Sequence, residues 1–487
     1  MRCFVLRMVC WALASALGGP LLAQQPQLQW QHLCSVPPNV RFDAQGYAHL
    51  RGFTWHELYD LYGDAGGTTY ALVTPAGQLT PPSSRPVVIP ADSADGTPYI
   101  PQGAWLPVAG GGYFSPWFSR TRVYLGRQDR GNTTRRLLPL ALPATYDSPL
   151  RRHRSLAAML PVGPGSFVAA GAVIIGPRRG WFGTEPHAPA LLRADTAGRV
   201  AWAYDYVAQA PANAGLEIAH LQRTADHQFL LSGWFHWRLT GPRLRQWQCF
   251  TAAEPHEAAG PDGANAPRRL LFLETDSLGR FQRRHTPVLL DSLEDVVLAG
   301  PPVELPQQRG FVISGTVQLQ PHRQGYHFVA GLDRAFRVRW RYLLENPERS
   351  TQLAPEVLGV RGDYALLTHS IRYRAASPAP DFALQLIRWR DGKLAGLHTL
   401  PTTDSTRWRF VQHSTFNPAT SQLLVSGYCV PNLQTGAPVD FMASYYWPDW
   451  PQPGQTAGVA PPRRLPARVL RQRQRKAARE LPAGCKP

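Results

Sequence analysis

Short apolar strands, each opened by an aromatic or apolar residue and closed by a small one, recur along this chain. The clear copies are Phe167-Val-Ala-Ala-Gly171, Phe229-Leu-Leu-Ser-Gly233, Phe311-Val-Ile-Ser-Gly315 and Leu423-Leu-Val-Ser-Gly427. Looser copies open at Tyr47, Tyr113 and Tyr364, so the first residues fall at 47, 113, 167, 229, 311, 364 and 423. Spacings between 53 and 82 residues mark a supersecondary unit repeated seven times.

A second element follows each copy: an apolar strand, an Asp-x-x-Gly turn, and a further strand carrying a tryptophan. Leu191 to Trp202 is the fullest version, with Asp195, Gly198 and Trp202 in place. The copy around Asp276 and Gly279 has Arg283 where the tryptophan belongs, and the copy around Asp333 keeps Trp340 but has Phe336 for glycine. Copies near Asp129-Arg-Gly131 and Asp391-Gly392 are shortened. In such a turn the Asp carboxylate accepts from backbone amides, and glycine takes the positive φ that closes a tight hairpin. The alternation Arg199-Val-Ala-Trp202-Ala-Tyr204 is that of a strand.

Each unit therefore holds four strands, A to D. In the fourth they are expected near 217–222, 228–233, 269–274 and 279–283. Four-stranded sheets repeated radially give an all-β, seven-bladed β-propeller of antiparallel strands. Two stacked sandwiches are the alternative, but they do not require a sixty-residue period. The seventh unit offers A (408–413), B (423–429) and C (441–446), then runs into Pro448, Pro451 and Pro453, which suit no paired strand. Leu28-Gln-Trp30-Gln-His32 matches the D-strand form, so it is expected to pair with Phe441–Tyr446 and close the ring.

On these motifs the chain resembles the secreted bacterial propeller repeats whose blades carry an Asp-x-x-Gly turn with a tryptophan four residues on. It is more distantly similar to quinoprotein blades, which place one more residue between Asp and Gly. The resemblance covers residues 28–447 and implies the fold; it implies no activity.

Composition adds an address and removes some partners. Of 487 residues, 42 are Gly and 47 Pro, which favours turns over long helices. The net charge is +18, but Arg2 and Arg7 supply two charges and residues 461–487 a net eight. Residues 24–460 therefore carry only +8, without the concentrated basic stripe of a nucleic-acid-binding domain, so no nucleic-acid partner is expected. Residues 1–23 read as a signal peptide: a basic start, a short apolar run, and Ala23 before a polar stretch. A secreted or periplasmic protein follows, with no transmembrane segment: the propeller spans 24–455 and a flexible Pro- and Arg-rich tail 456–487. That basic tail suits contact with anionic surfaces.

Export leaves Cys34, Cys249, Cys429 and Cys485 in the mature chain. A Cys34–Cys429 disulfide is expected where the chain crosses from the closing strand into blade one, provided the Cα atoms approach within about 7 Å. No C-x-x-C occurs, and His56-Glu57-Leu-Tyr-Asp60 lacks the second histidine of a zinc motif, so neither metal nor cofactor is expected. Arg361-Gly-Asp363 falls on an A–B turn, where a turn role suffices.

In a four-stranded blade the A–B and C–D turns emerge on one face and the B–C and D–A connections on the other. Loops 55–68, 177–189 and 238–267 make the second face the candidate for binding. Its expected ligand-binding residues are Trp55, His56, Arg178, Arg179, Trp181, His236, Trp237, Arg372 and Arg374. Rings and guanidinium groups suit a carbohydrate or a protein ligand with acidic groups. No catalytic residues are identified. The leading expectation is a binding or interaction scaffold; the alternative is a polysaccharide hydrolase or lyase using carboxylates such as Glu57, Asp60, Glu185, Glu254 and Glu257.

Overall fold

A computed structural model gives the arrangement of the chain. It describes residues 27–34, parts of 39–142, 153–175, 187–209, 216–236, 267–290, 294–319, 324–345, 354–371, 381–400, 408–417, 420–430, 439–447, 450, 454–455 and parts of 464–475. The described strands form seven sheets, each built on four antiparallel strands, in chain order in six of them. In blade four A is Leu216–Arg223, B Phe229–His236, C Arg268–Thr275 and D Phe281–His285, each opening within two residues of the position read from sequence. The seven B strands open at 48, 113, 166, 229, 311, 364 and 422, on the recurrent aromatic or apolar motif.

Closure is as expected. Gln27–Cys34 pairs antiparallel with Val439–Tyr446, with Leu28 opposite Tyr445 and His32 opposite Met442. The first strand of the chain thus completes the blade begun by its last repeat, so that sheet keeps no unpaired inner gap.

Register explains the recurring glycine of the B motif. Strand A of blade four is irregular between Ile218 and His220, just opposite Gly233 and Ser232. A Cβ on Gly233 would lie 2.0 Å from the carbonyl oxygen of Glu217, so only glycine fits. Gly315 meets Val297 in the same way. Blade six has Thr368 there instead, and its Oγ1 accepts from the Glu356 main-chain N–H at 3.3 Å.

The core lies between blades. Leu230, Leu270 and Phe272 of blade four pack against Phe311, Ile313 and Phe328 of blade five. Leu191 of blade three meets Ile218, Leu231 and Leu273 of blade four. The Asp-capped turns behave as their chemistry requires: Oδ1 of Asp195 accepts from the N–H groups of Ala197 and Arg199, and Asp276 and Asp333 repeat the pattern.

The tryptophan and the turn glycine prove to be one device. Gly279, at φ +79°, lies under Trp202 of the preceding blade, where a Cβ would come 2.6 Å from the indole. Trp340 covers Gly392 of the next blade likewise. The two departures from the motif are its reciprocal. Arg283 occupies the tryptophan register opposite Glu274, and the next blade's turn carries Phe336 at φ +58°. The Phe336 ring packs on Phe272, Phe311 and His285 with centroids 4.4–4.8 Å apart. The turn supplies the aromatic that the strand lacks.

Two further expectations concern the closing blade and the end of the chain. Cys34 stands opposite Asp440 and Cys429 opposite Val439, on the two strands that flank Val439–Tyr446. Two interstrand spacings put their backbones about 9–10 Å apart, beyond ordinary disulfide reach. This register does not support the pairing. The end of the chain touches the ring at described residues of both the expected propeller span, 24–455, and the expected tail, 456–487. Gly454–Gln455 adds a parallel strand to the outer edge of blade six. Arg464 bridges Leu344, and Leu465 N–H donates to Leu343 O at 2.9 Å. Residues 468–470, 472 and 475 are helical, with Leu470 packed on the core between blades four and five. A paired outer edge and an apolar contact offset the ordering cost that composition alone suggested would leave the segment loose. Residues 1–26, with the signal-peptide expectation, lie outside the described residues.

Candidate functional site

Strand direction sorts the connections as expected. The A–B turns, such as 43–47, 164–165, 224–228 and 362–363, are short, and they share one end of the blades with the C–D turns. The B–C connections 54–67, 175–186, 237–267 and 372–380 leave from the other end. Among the expected binding residues, His236 is described; it ends strand B of blade four and pairs with Arg268. Trp55, His56, Arg178, Arg179, Trp181, Trp237, Arg372 and Arg374 lie outside the described residues, as do Glu57, Asp60, Glu185, Glu254 and Glu257.

The root of the longest loop is nonetheless well defined. His236 and Arg268 flank connection 237–267, and Arg268 clamps Asp295 of blade five. Its main-chain N–H and Nε donate to Oδ1 at 2.9 and 2.8 Å, and NH2 donates to Oδ2 at 3.0 Å. The Asp295 carboxylate and the nearby Glu217 raise the Arg268 pKa against the opposing effect of burial, which is the largest single influence. A bidentate pair of this kind fixes both partners' geometry, so the root of the connection is held at the blade four–five boundary.

A second polar group was not found from sequence. Inner A strands carry it, level with the second to fifth residues of the B strands they pair with. Arg41 of blade one reaches over blade two: NH1 donates to Trp105 O at 2.7 Å and to Met159 O of blade three at 3.4 Å. Its guanidinium lies 5.5 Å from the Trp105 ring centroid. His220 of blade four has its pKa lowered to about 4 by burial and secondarily by the Arg41 charge, so it is neutral at pH 7. Its Nε2 has no hydrogen-bond partner among the described residues.

Across the ring, Ser414 of blade seven donates to Glu356 Oε2 at 3.0 Å. The Glu356 side chain lies against Gly300 of blade five, where a Cβ would come 2.9 Å from its Cγ. Burial raises the Glu356 pKa to about 7, partly opposed by the Ser414 hydrogen bonds. By surface area His220 and Glu356 are only half-buried. The crowding of seven inner strands, rather than full enclosure, is what disfavours their charged forms. The signal that could have found these residues is slight: a charged or ring-nitrogen residue inside a short inner strand, as in Asn39-Val-Arg41-Phe42.

Fold and site together define a seven-bladed β-propeller with a polar centre and long B–C connections that leave from one end of the blades. No family model and no curated protein matches the chain. Similar solved structures include a quinohemoprotein alcohol dehydrogenase from Pseudomonas putida, at 9% identity and TM-score 0.40 over 91% of this chain and 80% of that one. Another is the β-propeller domain of the Trilobed protease from Pyrococcus furiosus, at 7% identity and TM-score 0.39 over 86% and 99%. A Trypanosoma rangeli sialidase in complex with sialic acid matches at 9% identity and TM-score 0.37 over 90% and 64%. Likenesses at this level carry no functional argument; the architecture rests on the chain's own sheet order.

Proposed function

We propose that the chain is an exported propeller that binds a carbohydrate or protein ligand through the face of its B–C and D–A connections. The observation that supports this is strand direction: it sends the B–C connections 54–67, 175–186 and 237–267 to one end of the ring. Tight Asp-capped turns occupy the other end and offer little relief. Arg268–Asp295 holds the root of connection 237–267, whose first residue is Trp237. Aromatic and guanidinium groups on such loops stack on sugar rings and pair with carboxylates. Surface binding without catalysis is the reading; the alternative, cleavage of polysaccharide, needs convergent carboxylates on that face.

The test is binding to arrays of neutral and acidic oligosaccharides and peptides, with product analysis of each mixture. Trp237→Ala is expected to weaken binding by about 1–3 kcal/mol, as for an aromatic hot spot, without changing thermal unfolding. Trp202→Ala is expected to lower stability instead. A ligand mapped to the Asp-turn face, or binding indifferent to Trp237, Arg178 and Arg374 together, overturns the proposal. Released oligosaccharide fragments would favour the hydrolase or lyase.

A further inference from the structure

The C-terminal segment crosses the outer rim of blades six and five before its helix begins. Gly454–Gln455 pairs with Gly396–Leu397 of blade six. Arg464 then stacks on Tyr342 of blade five, 3.9 Å from the ring centroid, and donates to Gly392 O of blade six at 2.6 Å. Its charge is thus used inside the molecule. Pro466 O accepts from the N–H groups of Val469 and Leu470, starting the helix, and Leu470 turns inward onto the blade four–five core.

Opposite that inward face, Arg468, Gln472 and Arg475 are exposed. Their four- and three-residue steps put them on one side of the helix, with the two guanidinium groups about 10 Å apart along its axis. In sequence, Arg471 and Arg479 stand at the same three- and four-residue intervals, and residues 461–487 hold nine basic groups against Glu480. Docking the helix against the ring fixes Arg468 and Arg475 before any partner arrives, so little ordering cost is left for them on binding.

We propose that this strapped C-terminal helix is a docking surface for a linear acidic polysaccharide, separate from the loop face and independent of the reading given to it. The charge row is complementary to a repeating carboxylate or sulfate chain, which planar guanidinium groups bind bidentately. A lipid bilayer fits less well, because an interfacial helix buries its apolar side in the membrane, whereas Leu470 is packed on the ring. A single-stranded nucleic acid fits less well too. Such partners are held by basic and aromatic side chains together, and residues 456–487 contain no Phe, Tyr or Trp.

The experiment measures the full chain against four probes at low and at physiological salt: polygalacturonate, neutral dextran, phosphatidylglycerol vesicles and a single-stranded DNA oligonucleotide. Polygalacturonate is expected to bind in a salt-sensitive way and dextran not at all. Arg468→Gln with Arg475→Gln is expected to weaken polygalacturonate binding about fivefold or more, the scale of two exposed charge pairs. Neither change should shift thermal unfolding, since both side chains are exposed. Trp237→Ala should leave this binding intact, which separates the failure of one surface from the failure of the other. Leu470→Ala, which removes no charge, should also weaken it by loosening the helix. Unchanged binding in the double variant, no binding at low salt, or tighter binding of vesicles or DNA through the same arginines would each overturn the proposal.

Discussion

Exchanging the aromatic between strand and turn at the blade four–five boundary tests the packing device that joins the blades. Phe336 is 2% exposed and sits in a left-handed backbone conformation at φ +58°. Replacing it by glycine removes a fully packed ring, a loss of about 3–5 kcal/mol for a buried Phe cut to Ala. The same change relieves about 1 kcal/mol of left-handed strain, so Phe336→Gly should destabilise the protein by about 2–4 kcal/mol. Arg283→Trp alone brings a large ring toward a space that Phe336 already fills against Phe272, Phe311 and His285, so it should be neutral or destabilising. Together the two changes recreate the pairing seen at Trp202 over Gly279 and Trp340 over Gly392. Burying the new indole should then recover about 2 kcal/mol. Urea and calorimetric unfolding of the wild type, both single variants and the double variant give the coupling energy directly. A favourable coupling of about 2 kcal/mol is expected; additivity within about 0.5 kcal/mol would refute the idea that tryptophan and turn residue act as one unit.

Deleting residues 27–34 should lower the unfolding temperature of the whole ring, because it strips the outer strand from Val439–Tyr446; an unchanged melting curve would disprove closure. Glu356 has a folded pKa near 7, above its unfolded value of 4.5, so its contribution to stability should fall as pH rises between those values. Glu356→Gln should therefore gain stability, on the order of 2 kcal/mol, at pH 8 and almost none near pH 4; equal shifts at both pH values would refute this. In oxidised protein, peptide mapping should find Cys34 and Cys429 not joined to each other; a peptide linking them would show that the strand register differs.

Most of the ring was legible in the sequence because its rules are local. An aromatic opening a strand, an Asp that caps its own turn and an alternating D strand can each be read within a dozen residues. Their recurrence at intervals of 53 to 82 residues fixed seven blades and the closing role of Leu28–His32. The tryptophan and glycine were also visible, but as separate signals. Only the tertiary structure showed that Trp202 and Trp340 lie on the next blade's glycine, because the contact joins residues that different repeats contribute. The same limit hid the polar centre. Arg41, His220, Glu356 and Ser414 stand on four inner strands, and nothing in the neighbourhood of any one announces the others. The contacts of the C-terminal segment were hidden for a related reason: its few apolar residues, Leu465 and Leu470, make no core by themselves and gain one only where blades four and five already present it. Local chemistry along the chain determined the strands, their turns and their number; closing those strands into a ring decided which distant side chains meet.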